Sequence, residues 1–312
     1  MSSPVSIVPS SGDGIPVLES CPDCGLVMNM SGIRIFTRVA CSSCGKNFTA
    51  RSRIDRYQIL SRLAEGGTAS VYRALDSVSG AKVALKIMSL DAMKQHESQA
   101  RALALIRHPN IVRVFDFGMS QGVFHLAMEF LGGGSLDDLI HERRKVDEAT
   151  VLEIGIQLAE GLSAALENGL LHRDIKPANI LFADPSRVTL VDFGLSEQPL
   201  GELWGTPDYI APETLAELPE NFQSDIYSLG STLFHALAGR PPYKTGGVSL
   251  AALRELKKNQ VDLRVVAPEL REETVCLVHR MMALDPARRP SSYSELIAQL
   301  REVLSKVRSS AH

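Results

Sequence analysis

Two short runs hold the residues best suited to chemistry. His172-Arg173-Asp174-Ile175-Lys176-Pro177-Ala178-Asn179 is followed further along by Asp192-Phe193-Gly194. The spacing provides one carboxylate, Asp174, to accept a proton from an attacking hydroxyl. It also provides an amide, Asn179, and a second carboxylate, Asp192, to hold a metal ion against phosphate oxygens. Phosphoryl transfer needs that trio, because its transition state asks for positioning and charge neutralisation more than for covalent chemistry. Either tripeptide arises by chance, but both in this order, with Lys176 and Asn179 in register, do not read as coincidence.

The two runs resemble the catalytic loop and the magnesium-binding turn of the protein kinases. From Tyr57 to about Leu304 the chain resembles the soluble serine/threonine kinases found in bacteria. The resemblance implies an α+β, two-lobed fold with a small β-rich lobe and a large helical lobe. It also implies an ATP-dependent protein serine/threonine kinase that uses Mg²⁺. Lys176 would contact the transferring phosphate and Lys86, in Val83-Ala84-Leu85-Lys86, would reach the α- and β-phosphates. Leu63, Gly66, Val71, Ala84, Met128, Glu129, Leu131 and Leu181 fall at the remaining nucleotide positions: Val71 roofs the adenine, Leu181 floors it, and Met128 precedes a hinge at Glu129-Phe130-Leu131.

The elements that must position these groups carry two departures from the family. In Ala64-Glu65-Gly66-Gly67-Thr68-Ala69-Ser70-Val71 only the second of the family's three loop glycines, Gly66, is kept. Alanine at the outer positions stiffens a lid that glycine leaves free to close on phosphates, so weaker nucleotide binding is expected. Counting back from His108-Pro109-Asn110 puts Gln99 where the family has a glutamate that pairs with Lys86; Glu97 is two residues away, about 200° around a helix. A hydrogen bond from Lys86 to Gln99 in place of the ion pair would slow phosphoryl transfer without abolishing it.

The large lobe reads as intact. Ser135 begins a capped helix; Ala149 to Asn168 has the apolar period of a core helix; helical stretches follow near Ser249–Lys258, Glu272–Leu284 and Ser292–Val307. Glu213 is expected to pair with Arg289, and Asp225 to brace the catalytic-loop backbone. Thr206 favours serine/threonine specificity. Between Glu197 and Gly205 no serine, threonine or tyrosine occurs, whereas in the family an arginine at the place of Arg173 pairs with a loop phosphate. Either Glu202 or Glu197 supplies that negative charge, or Arg173 stands alone on the surface.

Ahead of the kinase-like region lie Cys21-Pro22-Asp23-Cys24-Gly25 and Cys41-Ser42-Ser43-Cys44-Gly45, a spacing suited to one zinc ion on Cys21, Cys24, Cys41 and Cys44. A segment of about 30 residues buries too little apolar surface to fold alone, and structural zinc contributes on the order of 10–16 kcal/mol to such peptides. Arg34 to Val39 alternates like a short strand, as a zinc ribbon requires. A redox pair of dithiols is the competing reading, but the βαβ scaffold that such pairs use is missing here. Cys276, among Val275, Leu277, Val278 and Met281, reads as a buried free thiol.

The domains expected are a disordered tail (1–17), the ribbon (18–50), a linker (51–56), the kinase domain (57–305) and a tail (306–312). With 312 residues, 45% hydrophobic and a net charge of −3, bulk charge does not favour a nucleic-acid or membrane coat. Ser31 to Arg56 nonetheless holds six basic residues and one acidic residue, a local +5 that could meet phosphates or an acidic protein face. No secretory signal or membrane span is read, so a cytoplasmic protein is expected. The leading function is a protein kinase acting on protein substrates, with a ribbon for regulation or for docking a protein partner. The alternative is an ATP-binding scaffold with weakened catalysis, and a nucleic-acid-binding ribbon is a third reading.

Overall fold

The computed structural model describes residues 17–66, 69–193, 207–243, 248–259 and 261–309. The chain divides into two compact units, one of residues up to Glu97 with Val114–Phe130, the other of Ser98–Arg113 with Leu131 onward.

The first unit is β-rich. Two small antiparallel hairpins come first: β1 (Leu18–Ser20) with β2 (Val27–Asn29), and β3 (Thr37–Ala40) with β4 (Asn47–Ala50). Each is closed by a cysteine turn of the same geometry. Gly25 donates to the Cys21 carbonyl at 2.9 Å and Gly45 to the Cys41 carbonyl at 2.9 Å. These glycines have φ +74° and +72°, which only glycine adopts at little cost. Val17, read as the end of a tail, is bonded into the first hairpin through Met30. The strand read over Arg34–Val39 begins only at Thr37, because Phe36 turns to φ +57° and donates to the Arg51 carbonyl.

Next comes a six-stranded antiparallel sheet of order β5-β6-β7-β8-β10-β9, made of β5 (Arg53–Ile54), β6 (Tyr57–Glu65), β7 (Ala69–Asp76), β8 (Lys82–Met88), β9 (Val114–Ser120) and β10 (Val123–Glu129). The segment 51–56, read as a linker, thus supplies an edge strand, and its Ile54 is fully buried. Residues opposite one another in an antiparallel sheet share a face. The pairs Val71↔Lys86 and Ala84↔Met128 therefore place Val71, Ala84, Lys86 and Met128 on one face. The other face is apolar: Tyr57, Ile59, Tyr72, Leu85, Ile87 and Ala127 form a cluster against which Ile35 and Phe36 of the cysteine region pack.

The helix α1 (Leu90–Leu105) precedes β9 and contains both Glu97 and Gln99. The second unit is otherwise helical, with α2 (Leu136–Arg143), α3 (Glu148–Glu167), α4 (Pro212–Leu215), α5 (Phe222–Ala238), α6 (Leu250–Lys257), α7 (Leu263–Val266), α8 (Glu272–Met281) and α9 (Tyr293–Ser309), plus a hairpin of β11 (Ile180–Asp184) and β12 (Arg187–Leu190). Ser135 caps α2 in a reciprocal capping box with Asp138, and Asp147 caps α3. From Ser224 to Leu237, α5 is buried at every residue except His235, and a Cβ on Gly230 would meet Met281 at 2.8 Å, so glycine there lets α8 approach. Helix α9 continues to Ser309, past the boundary read at residue 305.

Cys276 is exposed, contrary to the sequence reading. The buried stripe of α8 runs through Thr274, Val275, Leu277, Val278 and Met281, and Cys276 lies beside it, donating to Glu272 at 3.2 Å. Among the described residues one helix, α3, is long and apolar enough to cross a bilayer by length and composition; Val151, Ile154, Leu158 and Leu162 bury its apolar stripe inside the unit.

Candidate active site and cysteine cluster

In the helical unit the structure gathers Asp174, Lys176 and Asn179. The Lys176 ammonium lies 3.0 and 2.8 Å from the two Asp174 oxygens. Asn179 Nδ2 donates to the Asp174 carbonyl and to its Oδ2, both at 2.8 Å. A single turn of 3₁₀ helix, Pro177–Asn179, sets this spacing, since proline opens such a turn without losing a needed N–H. The chain then enters β11, whose Leu181 bridges to Ser135. A Cβ on Gly133 would lie 2.4 Å from the Phe182 carbonyl, so glycine is required where the segment after Leu131 crosses β11.

The loop is held from beneath by α5. Asp225 accepts from the backbone N–H of His172 at 2.8 Å and of Arg173 at 2.9 Å. Burial pushes the Asp225 carboxyl up to about 6, against the pull of those two donors. His172 is fully buried and fixes a second link. Its Nδ1 accepts from Asp174 N at 3.2 Å, so Nε2 carries the proton and donates to the Val191 carbonyl at 3.0 Å, beside Asp192. Burial holds the imidazole down at about 4. Its ring stacks at 4.5 Å, tilted, on Phe193, and Asp192 takes φ +62°.

The segment from residue 207 into α4 is anchored by Glu213 and Arg289, which form a bidentate pair at 2.6 and 2.8 Å with Arg289 fully buried. Two residues that the sequence reading passed over also act here. Lys257 is buried and donates to the carbonyls of Asp208 and Ile210 at 3.2 and 2.6 Å; its position four residues after buried Leu253, on the apolar stripe of α6, was the available signal. Glu220 pairs with Arg173, Nε to Oε2 at 3.2 Å. Glu197, Glu202 and Thr206 lie outside the described residues.

In the β-rich unit, Val71, Ala84, Lys86 and Met128 occupy adjacent positions on one face, as given above. Lys86 is buried, and Gly66 closes its turn by donating to Ala69 at 2.8 Å. Leu63 is exposed on β6 and Glu129 half-buried at the end of β10. Glu97 and Gln99 are both half-buried on α1.

All four clustered cysteines are free thiols, and their sulfurs lie within 4.8 Å of one another. Contacts of 3.7 Å (Cys21–Cys44) and 3.6 Å (Cys24–Cys41) run between the two motifs. Backbone N–H groups of Cys44 and Ser43 pull the Cys41 thiol down to about 6. The basic stretch nearby is largely engaged within the chain: Arg34 with Glu65, Lys46 with Asp23, Arg56 with Asp76 and Asp116, and Arg51 with the carbonyls of Ile33 and Gln121.

Comparison with known proteins gives a consistent result. Residues 57–302 match the family described as the protein kinase domain. A probable serine/threonine-protein kinase of Clostridium acetobutylicum is 28% identical over 267 residues, 81% of this chain and 40% of that protein. The serine/threonine-protein kinase PrkC of Bacillus subtilis is 28% identical over 259 residues, 79% of this chain and 40% of that protein. The crystal structure of Rad53 1–466 in complex with AMP-PNP superposes with a TM-score of 0.68 at 26% identity, covering 78% of this chain and 64% of that one. The chain spans less than half the length of these two curated relatives. On the match over most of its length, the chain belongs to the protein kinase family, with serine/threonine kinases among its relatives and an α+β, two-lobed kinase fold behind an N-terminal four-cysteine cluster.

Proposed function

We propose that this chain transfers the γ-phosphate of ATP to serine or threonine hydroxyls of protein substrates. The observation that carries this is the Asp174 carboxylate, held in one orientation by Lys176 and Asn179. Asp174 accepts the hydroxyl proton. Lys176, already beside it, offsets charge on the transferring phosphoryl group, and Lys86 orients the α- and β-phosphates. Val71, Ala84 and Met128, with Leu63, Leu131, Leu181 and the backbone of Glu129, bind the adenine end, and Gly66 lies over the phosphates. Asn179 spends its Nδ2 on Asp174, which leaves its amide oxygen for a cation; with the Asp192 carboxylate this is a hard-oxygen set that fits Mg²⁺. When bound, the ion neutralises phosphate oxygens.

The cysteine cluster fits structural zinc. A tetrahedral site with Zn–S bonds of ~2.3 Å has sulfur edges of ~3.8 Å, near the 3.6 and 3.7 Å contacts. Those contacts join the two motifs, as a shared ion requires, whereas a redox dithiol would pair within one motif. Four thiolates persist in a reducing compartment, which supports a cytoplasmic protein. Ile35 and Phe36 pack against the sheet while Arg38 is exposed, so a protein partner would dock on the ribbon surface around Arg38.

The test is transfer of labelled γ-phosphate from Mg-ATP to a generic basic protein, beside Asp174→Asn. Transfer that disappears in the variant supports the kinase; ATP binding without any transfer favours the scaffold. Elemental analysis should give one zinc per chain, lost in Cys24→Ser/Cys44→Ser.

A further inference from the structure

Arg173, the residue before the proposed base, is held at both ends by carboxylates. Its backbone N–H meets Asp225 at 2.9 Å, and its guanidinium meets Glu220 at 3.2 Å. Its φ of +65° lies in the left-handed region, which a residue with a side chain keeps only when its surroundings hold it there. Glu220 is itself fixed. Its second oxygen accepts from the Thr214 hydroxyl at 2.7 Å, and the next residue, Asn221, caps α5 through Gln223 N. Thr214 adjoins Glu213, which Arg289 anchors. Glu220 is therefore tied to α4 and α5, and it ties both to the catalytic loop. The space beside the pair, lined also by Leu171, Ile210 and Ser228, is small, about 10 Å³, room for about one water.

We infer that Glu220 is a built-in positioning residue: its fixed negative charge on Arg173 orients the loop that carries Asp174, so that phosphoryl transfer needs no phosphate on that arginine. The proposal rests on the kinase reading. The pair is half-open to solvent, Arg173 being 50% and Glu220 23% exposed, so its ion-pair contribution to global stability is small. Its effect falls on geometry, and so on turnover.

The experiment measures kcat, KM for ATP, thermal midpoint and amide exchange across residues 170–179 in the full chain, for Glu220→Gln, Glu220→Asp, Arg173→Gln and the double variant Arg173→Gln/Glu220→Gln. Expected for Glu220→Gln are an unchanged midpoint and KM, a kcat lower by about tenfold, and faster exchange at the loop; Glu220→Asp recovers part of the rate. The double variant loses no more than the worse single one, and phosphatase treatment of the wild type changes nothing. Wild-type kcat and exchange in Glu220→Gln would overturn the proposal, as would losses that multiply in the double variant. Exchange tests the loop even where no transfer is detected, so failure of the kinase reading is told apart from failure of this one. If Glu220→Gln does not fold, the Asp variant and Arg173→Gln carry the same comparison.

Discussion

Phe36, from the cysteine region, meets Tyr72, from β7, edge to face, with ring centroids 6.1 Å apart and planes at 69°. The contact belongs to a seam. Ile35 and Phe36 lie on the apolar sheet face, Arg51 donates to Ile33 and Gln121 from a buried position, and Gln121 donates back to Arg53. Folding of the cysteine region and of the sheet is therefore linked, and whatever organises the cysteines stabilises the sheet. Stripping metal with a strong chelator under reducing conditions should lower the thermal midpoint of the whole β-rich unit and weaken ATP binding. Phe36→Ala, with the cysteines intact, should cost about 1–2 kcal/mol in stability, less than a fully buried core ring because Phe36 is only partly buried. A chelated protein with an unchanged melt would show that the hairpins hold without metal.

Glu213 and Arg289 make a deeply buried ion pair, with side chains 9% and 0% exposed. Burial works against the Glu213 charge, while Arg289's hydrogen bonds and charge hold its carboxyl below the ordinary value. Arg289 also donates to Gln223 and Ala283 and lies 5.0 Å from the Tyr227 ring. Removing one partner strands a buried charge, so Glu213→Ala should lose about 3–5 kcal/mol in denaturant unfolding. Adding Arg289→Leu to it should restore part of that loss. Equal instability of the double and single variants would argue that the pair acts only through packing.

Much of this was legible in the sequence wherever the signal was local. The register of Asp174, Lys176 and Asn179 follows from a proline-started turn, the cysteine turns from their glycines, and the α2 start from Ser135 and Asp138. Readings failed where a residue's role depends on distant chain. Arg51 counted as one more surface cation until Ile33 and Gln121 came to it, and Phe36 broke a strand because the sheet offered its ring a place. Arg173 shows the same dependence: its partner among the described residues, Glu220, comes from the segment before α5, which no local pattern marks, while Glu197 and Glu202 lie outside those residues. Cys276 was misread because apolar neighbours on both sides hide which side of α8 the stripe excludes.

Lys257 poses a competition between two costs. Burial pushes its amine down to about 7, and it packs 4.9 Å from the Tyr243 ring and 5.2 Å from that of Tyr227. Lys257→Met removes a costly buried cation but leaves the carbonyls of Asp208 and Ile210 without their donor, at about 1–3 kcal/mol each. These effects offset in global stability and do not offset locally, because both carbonyls belong to the segment that leads into α4, which on the proposed function faces the protein substrate. Global stability should change by only about 1 kcal/mol, while KM for a protein substrate rises several-fold at unchanged KM for ATP. An unchanged protein-substrate KM would sink this role for Lys257.

His172 makes the catalytic loop sensitive to acid. The imidazole must be neutral, because Nδ1 accepts from Asp174 N while Nε2 donates to Val191. Its folded value of about 4 lies below the ordinary 6.5, so between these limits the unfolded chain binds the proton that the folded one refuses. Its contribution is therefore fully present above pH 6.5 and is lost as pH falls toward 4. The gap of ~2.5 units corresponds to about 3 kcal/mol at full loss. Denaturant unfolding of the wild type should weaken steadily from pH 6.5 to 4, and His172→Gln, which cannot take up that proton, should show a shallower slope over the same window from a lower starting stability. Identical slopes in the two proteins would assign the acid sensitivity to the surface carboxylates and leave His172 a packing residue.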